Sequence, residues 1–204
     1  MNSDTSYTSL QTGSFPAAAN CYDSIAAACD DGTKTSPATD GDFVLVSSAH
    51  SKSHNFGSGP TFNSTNAFGG AGLTIISVDD TACDQYLPGA TEQLNDGGDE
   101  ILLKGNGVIA GLTIGTDDDG FVNNLGGWWR FYDCTIPIGN QTTDKAFNTI
   151  SGDTVRMSLY NSWLDWNGGS NAQLIVMSSV TNGAIFEMFG GGLMSSGGGT
   201  MVDL

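Results

Sequence analysis

Basic residues are scarce in this chain of 204 residues. Six Lys and Arg stand against 22 Asp and Glu, for a formal charge of −16. Binding to nucleic-acid phosphates draws on clustered cations, so nucleic acid is not an expected partner. A surface this acidic also repels an anionic membrane. Glutamate is nearly absent, with only Glu92, Glu100 and Glu187 among the acids. Helical bundles and coiled coils need Ala, Glu, Lys, Leu and Arg in quantity, so those classes are excluded. No apolar run approaches the ~18 residues of a membrane span, and the longest candidates, such as Leu73–Val78, are strand-sized. The start, Met1-Asn2-Ser3-Asp4, has neither the basic nor the apolar region of a secretory signal. The expectation is therefore a protein made in the cytoplasm of its host and not exported through a leader. Four cysteines, Cys21, Cys29, Cys83 and Cys134, fit no zinc spacing and read as buried thiols. A Cys21–Cys29 bridge would require a break in any helix there, because eight helical residues span roughly 12 Å.

What is present is small and polar. Glycine (29), serine (21), threonine (20) and asparagine (15) dominate, yet 39% of residues are hydrophobic. That combination predicts a packed core built from short strands and many turns. The length suits one domain. Residues 1–15 read as a polar N-terminal arm, and 16–204 as one domain. Within it, Ala18, Cys21, Tyr22, Ile25, Ala28 and Cys29 follow helical spacing, and Pro16 suits a first turn, so a short helix is expected over 16–29. Gly41–Val46 and Leu73–Val78 read as strands. Residues 47–70 and 79–99 read as polar loop insertions.

From Ile101 onward an imperfect repeat appears. Gly107–Ile114, Trp129–Ile136 and Met157–Leu164 align, and Ile185–Leu193 is a weaker fourth copy. Each is a short strand, a pivot and a second short strand. The pivots are Gly111, Asp133, Asn161 and Gly190, at intervals of 22, 28 and 29 residues. Gly, Asn and Asp are the residues that enter the left-handed backbone region most readily, as a sharp bend between strands requires. Periods of 20–30 residues with several strands each are the mark of a solenoid. The last interval has room for a further coil, with Leu174–Val180 as a strand candidate. The competing fold is a β-sandwich with Gly-rich turns. Continuous apolar segments such as Val108–Leu112 and Leu174–Met177 suit buried parallel strands better than the alternation of a sandwich.

The helix ending at Cys29, followed by a loop and Gly41-Asp42-Phe43-Val44-Leu45-Val46, resembles the opening of right-handed parallel β-helix proteins of the pectate-lyase-like superfamily. The Gly-Leu-Thr-Ile (111–114) and Asp-Cys-Thr-Ile (133–136) turns are similar to its coils, and the resemblance covers roughly residues 16–195. It implies an all-β fold: a right-handed parallel β-helix of about 4–6 coils with a short N-terminal capping helix. The superfamily includes polysaccharide lyases and hydrolases, phage tailspikes and capsid decoration proteins of tailed phages.

Lyases of that superfamily abstract a proton with Arg or Lys near calcium-binding Asp residues. Arg130 and Arg156 fall at near-equivalent repeat positions with Asp133 close by, which reads either as a basic site or as surface charge pairing. Asp117, Asp118 and Asp119 read as a solvated loop, with calcium binding as the alternative. His50 and His54 have metal-like spacing, but in a Ser/Asn/Gly-rich loop without a third ligand. Trp128, Trp129, Phe131, Tyr132, Tyr160, Trp163 and Trp166 cluster in two repeat units. They fit a solenoid interior, a protein interface or a sugar platform. No residue is assigned as catalytic, cofactor-binding or metal-ligating, and no cofactor is expected.

The sequence-based expectation is a non-enzymatic virion protein of a tailed bacteriophage. More narrowly, it is a capsid decoration (cement) protein on the outer capsid surface, bridging subunits of the major capsid protein. Gly197–Leu204 offers no cap for a terminal coil, and an open sheet edge invites pairing with another chain, so a homotrimer is expected. The alternatives are a tail-fibre or tailspike module that binds glycans, and a small polysaccharide lyase or hydrolase.

Overall fold

The computed structural model describes residues 24–29, 43–54, 61–63, 72–80, 85–94, 101–116, 121–123, 126–138, 145–149, 155–166, 173–176 and 183–195. These are mostly β. A single helical turn, α1 (Ile25–Cys29), comes first. The strands follow in sets of three. The first set is β1 (Phe43–Ser47), β2 (Ser51–His54) and β3 (Thr61–Asn63), and the second is β4 (Leu73–Val78), β5 (Ala90–Leu94) and β6 (Ile101–Lys104). Next come β7 (Gly107–Ala110), β8 (Leu112–Thr116) and β9 (Phe121–Asn123), then β10 (Gly127–Tyr132), β11 (Thr135–Ile138) and β12 (Lys145–Thr149). The long β13 (Val155–Trp166) with β14 (Gln173–Val176), and the long β15 (Ala184–Ser195), complete the order.

Each strand pairs in parallel with its counterpart in the next set. One path runs β1-β4-β7-β10-β13, turns through β13 and returns as β11-β8-β5-β2, while β14-β12-β9-β6-β3 form a second sheet. β13 is long enough to pair with β10 through its first half and with β11 through its second. β15 pairs with β13 on both sides of that bend. The chain is therefore a strongly curled parallel sheet with strands interleaved in sequence, compatible with a β-solenoid. Three sides result. The first holds β1, β4, β7, β10 and the leading halves of β13 and β15. The second holds β2, β5, β8, β11 and the trailing halves. The third is the five-stranded sheet.

The bends sit where the repeat predicts them. Gly111, Asp133, Asn161 and Gly190 all have left-handed φ, at 73°, 49°, 49° and 74°. Asp133 and Asn161 are the two non-glycine residues with positive φ among the described residues. Their neighbours hold the column together: Gly111 N–H donates to the Tyr132 carbonyl at 2.9 Å, and Asp133 N–H to that of Tyr160 at 3.0 Å. Asn161 Nδ2 donates to Asp133 Oδ1 at 2.7 Å, so two pivots of successive layers are tied side chain to side chain.

Alternation along each strand builds the core. In register, Val44, Ile75, Ile109, Phe131 and Leu159 stack inward and are all buried. A second inward column is Leu73, Gly107, Trp129, Met157 and Phe186. Gly107 is glycine for room: a Cβ there would run into the Trp129 indole. Trp129 and Phe131 are fully buried, and each buried large side chain stabilises the fold by about 1.5–3 kcal/mol.

Several expectations change. The polar segments 47–70 and 79–99, read as insertions, contain β2, β3 and β5. Their inward groups are few, so their strand period was hidden among Ser, Thr and Asn. Among the described residues the last interval shows no extra coil: β15 pairs directly with β13, and β14 is the third-side strand of the layer that β13 begins. Of the helix expected over 16–29, only residues 24–29 are described, and Ile25–Cys29 of these are helical; the rest, with the arm 1–15, Cys21 and Cys83, lies outside the described residues.

Candidate interaction surface

The outward residues of the first side form an ordered array over its last three layers. Strand alternation turns Trp128, Arg130 and Tyr132 of β10 away from the core, between the buried Trp129 and Phe131. Register then sets Trp128, Arg156 and Ile185 in one row. Arg130, Ser158 and Glu187 form the next, and Tyr132, Tyr160 and Phe189 the third.

The third row is an aromatic ladder. Tyr132 and Tyr160 stack with ring centroids 4.6 Å apart and planes 10° apart, and Tyr160 and Phe189 follow at 5.1 Å and 11°. Strands one hydrogen-bonding step apart impose this spacing on any in-register aromatics. Because the ring faces meet one another, the ladder presents ring edges outward. Phe189 is 51% exposed and Ile185 45%. Earlier layers continue the apolar character with Leu45 and Ile76, both half-buried, and Phe43, which is 71% exposed.

The first two rows carry charge. Arg156 grips Glu187 through Nε to Oε2 at 2.9 Å and Nη2 to Oε1 at 3.0 Å. Ser158 Oγ donates to Glu187 Oε2 at 2.7 Å and accepts from Trp128 Nε1 at 2.9 Å. The Ser158 hydroxyl and the Arg156 guanidinium hold the Glu187 carboxyl below the usual carboxylate range. Trp128 lies against two cations, 4.8 Å from the Arg130 guanidinium carbon and 4.1 Å from that of Arg156. Arg130 differs from Arg156: its Nε is buried and meets no acceptor.

No protein-family model matches this chain, and no curated protein or solved structure is significantly similar to it. The reading of this surface therefore stands on its geometry.

The candidate residues of the sequence fall in separate places. Arg130 and Arg156 share one outward face, offset by two positions, because Arg156 registers with Trp128 and Arg130 with Ser158. Asp133 sits at the bend, where it accepts from Tyr86 Oη at 2.8 Å as well as from Asn161. Partial burial and that bond to the Asp133 carboxylate hold the Tyr86 phenol well above its usual range. Trp128 is outward on the first side, Trp129 is in the core, and Trp163 is outward on the second side. Cys29 and Cys134 are buried, as read, and burial pushes the Cys134 thiol up to about 11. Asp117, Asp118 and Asp119 lie outside the described residues. Among the described residues no group of three or more His, Cys, Asp or Glu gathers as a metal site would require, and no helix is long and apolar enough to cross a membrane.

One polar contact escaped sequence reasoning. His50 lies in the link between β1 and β2, as read, but it is buried there: its Nε2 lies 2.9 Å from Glu92 Oε2, with both side chains buried. The same oxygen accepts from the Ile25 backbone N–H at 2.7 Å. Glu92 thus fastens α1 to the second side. The partners are 42 and 67 residues from Glu92, so no local spacing marks them.

Proposed function

We propose that this chain is a structural, non-enzymatic subunit that works by covering and bridging other protein surfaces. Its fold is read as a right-handed parallel β-helix whose first layer is capped by the helix that includes α1. One observation carries the reading: the outward side of β10, β13 and β15 bears an aromatic ladder and an exposed isoleucine around a small charged cluster, in a chain otherwise rich in hydrophilic residues. Contiguous exposed apolar surface marks a site of protein contact. Trp, Tyr and Arg, which make up most of its centre, are the residues that dominate interface energetics.

The setting proposed is the outer capsid surface of a tailed phage. There a trimeric decoration protein binds the assembled shell and stabilises it by mass action. The test is native mass by size exclusion with light scattering. A species near 63 kDa, three times 21.1 kDa, is expected. A monomer at all concentrations overturns the trimer. Co-sedimentation with phage heads lacking decoration tests the location.

A second reading, a tail-fibre glycan module, draws on Trp163. This residue is 44% exposed and stands in register with Thr135 on the second side. Quenching of tryptophan fluorescence by host oligosaccharide, abolished by Trp163→Ala, would favour it. A lyase site gains less support, because Arg156 is occupied by Glu187 and Asp133 is held at the bend.

A further inference from the structure

We propose that the outward face of the first side, over its last three layers, docks a second copy of this chain, and that Arg130 receives a carboxylate from that copy. The inference rests on the assembly reading above and names its contact surface.

Among the described residues Arg130 is a cation without a counter-ion. Glu187, the one carboxylate in its row, is taken by Arg156 and Ser158. Arg130 Nε is covered by its own chain and has no acceptor, while the residue as a whole is only half-buried, so a carboxylate from outside would meet the outer guanidinium nitrogens. A half-buried guanidinium without a paired anion is costly, and planar carboxylate oxygens are the acceptors that it matches best. Trp128 lies close to the guanidinium, with Arg156 on the same indole, so the fork is held in position before any partner arrives. The groups flanking it, Tyr132, Tyr160, Phe189 and Ile185, supply apolar surface around the charge.

Charge selects the occupant. With 22 acids and 6 Lys and Arg, copies of this chain repel one another over most of their surface. An unpartnered cation set in apolar surroundings is a place where that repulsion reverses, and every copy brings carboxylates to it. A sugar is a poorer fit, because the ladder turns its ring faces toward one another and offers edges.

The experiment compares native mass and dissociation for the full-length wild type, Arg130→Glu, Arg130→Gln and the second-side control Ser51→Glu. Circular dichroism and melting verify the fold of each. The expected result is a wild-type oligomer. Arg130→Glu should raise its dissociation constant at least tenfold and Arg130→Gln by less, with Ser51→Glu unchanged. If Arg130→Glu misfolds, Arg130→Gln alone decides. An oligomer that both Arg130 variants leave intact overturns this face and spares the assembly reading. Dissociation by Ser51→Glu alone moves the contact to the second side and overturns it too. A wild-type monomer at every concentration overturns both inferences. A monomer whose tryptophan fluorescence titrates with glucuronate assigns Arg130 to an acidic glycan and overturns the self-contact.

Discussion

The first and second sides share one backbone plan and differ in what they turn outward. Over its earlier layers the second side shows solvent a row of Ser51, Thr91, Thr113 and Thr135, in register across β2, β5, β8 and β11, and the row ends in the exposed Trp163 of β13. The first side shows Trp128, Arg130, Tyr132, Tyr160 and Phe189 from the later layers of the same stack. Inward, both sides present the same kind of residue: Ile109, Phe131 and Leu159 on one, Ile114, Ile136 and Leu164 on the other, all buried. The fold therefore needs only the inward half of each strand. Hydroxyl side chains hydrogen-bond to water at little cost, whereas aromatic rings in a row leave apolar area uncovered. The outward difference is a statement about partners, and the inward sameness is a statement about folding.

Four measurements break or sharpen that contrast. The largest effect belongs to what the two sides share. Trp129→Ala empties the inward column above Gly107 and is expected to lower stability by about 3–5 kcal/mol in urea unfolding. The outward faces should separate next. Tyr160→Ala removes the middle rung of the ladder and is expected to cost about 1–3 kcal/mol, from lost stacking and lost burial. Thr113→Ser on the second side should stay within ~0.5 kcal/mol. A loss at Thr113 equal to that at Tyr160 would erase the distinction. The bend between the sides comes third. Asn161→Ala keeps a Cβ at φ 49° without the bond to Asp133 and should cost about 1–2 kcal/mol, while Asn161→Gly should cost less.

The smallest effect is in pH. Glu187 is held below the usual carboxylate range when folded, so its contribution is present above the ordinary carboxylate pKa. That contribution is lost as pH falls through the lowered folded value. Melting from pH 6 down to 2.5 should therefore fall more steeply for wild type than for Glu187→Gln. Equal slopes would show that the Arg156–Glu187 pair adds no stability.

The sequence disclosed the first side well and the rest unevenly. Strands such as Phe43–Ser47 and Leu73–Val78 are apolar runs, and the repeat aligned Gly107, Trp129 and Met157 as the backbone does. The pivots were legible because few residue types tolerate left-handed φ, so chemistry and position coincide there. Ser51–His54 and Thr61–Asn63 were not, since a strand of three or four mostly polar residues has no period to detect. The array on the outward face was visible only as a cluster of aromatics. Which of Trp128 and Trp129 points inward depends on strand phase. That Glu187 chooses Arg156 over Arg130 depends on register between strands about thirty residues apart. The His50–Glu92 contact was hidden for the same reason.

The stacking of layers also fixes how the molecule answers to force. Hydrogen bonds between layers point along the stack, so pulling its two ends apart peels strands away one layer at a time instead of shearing them together. With pivots 28 or 29 residues apart in the later layers, each peeled layer should release roughly 95 Å of chain at ~3.4 Å per residue. A single molecule stretched along its axis is thus expected to lengthen in a staircase, with the 22-residue interval between Gly111 and Asp133 giving a shorter step of roughly 75 Å. A load applied across the axis meets β13 and β15 along their full twelve-residue lengths and is expected to be resisted as one unit.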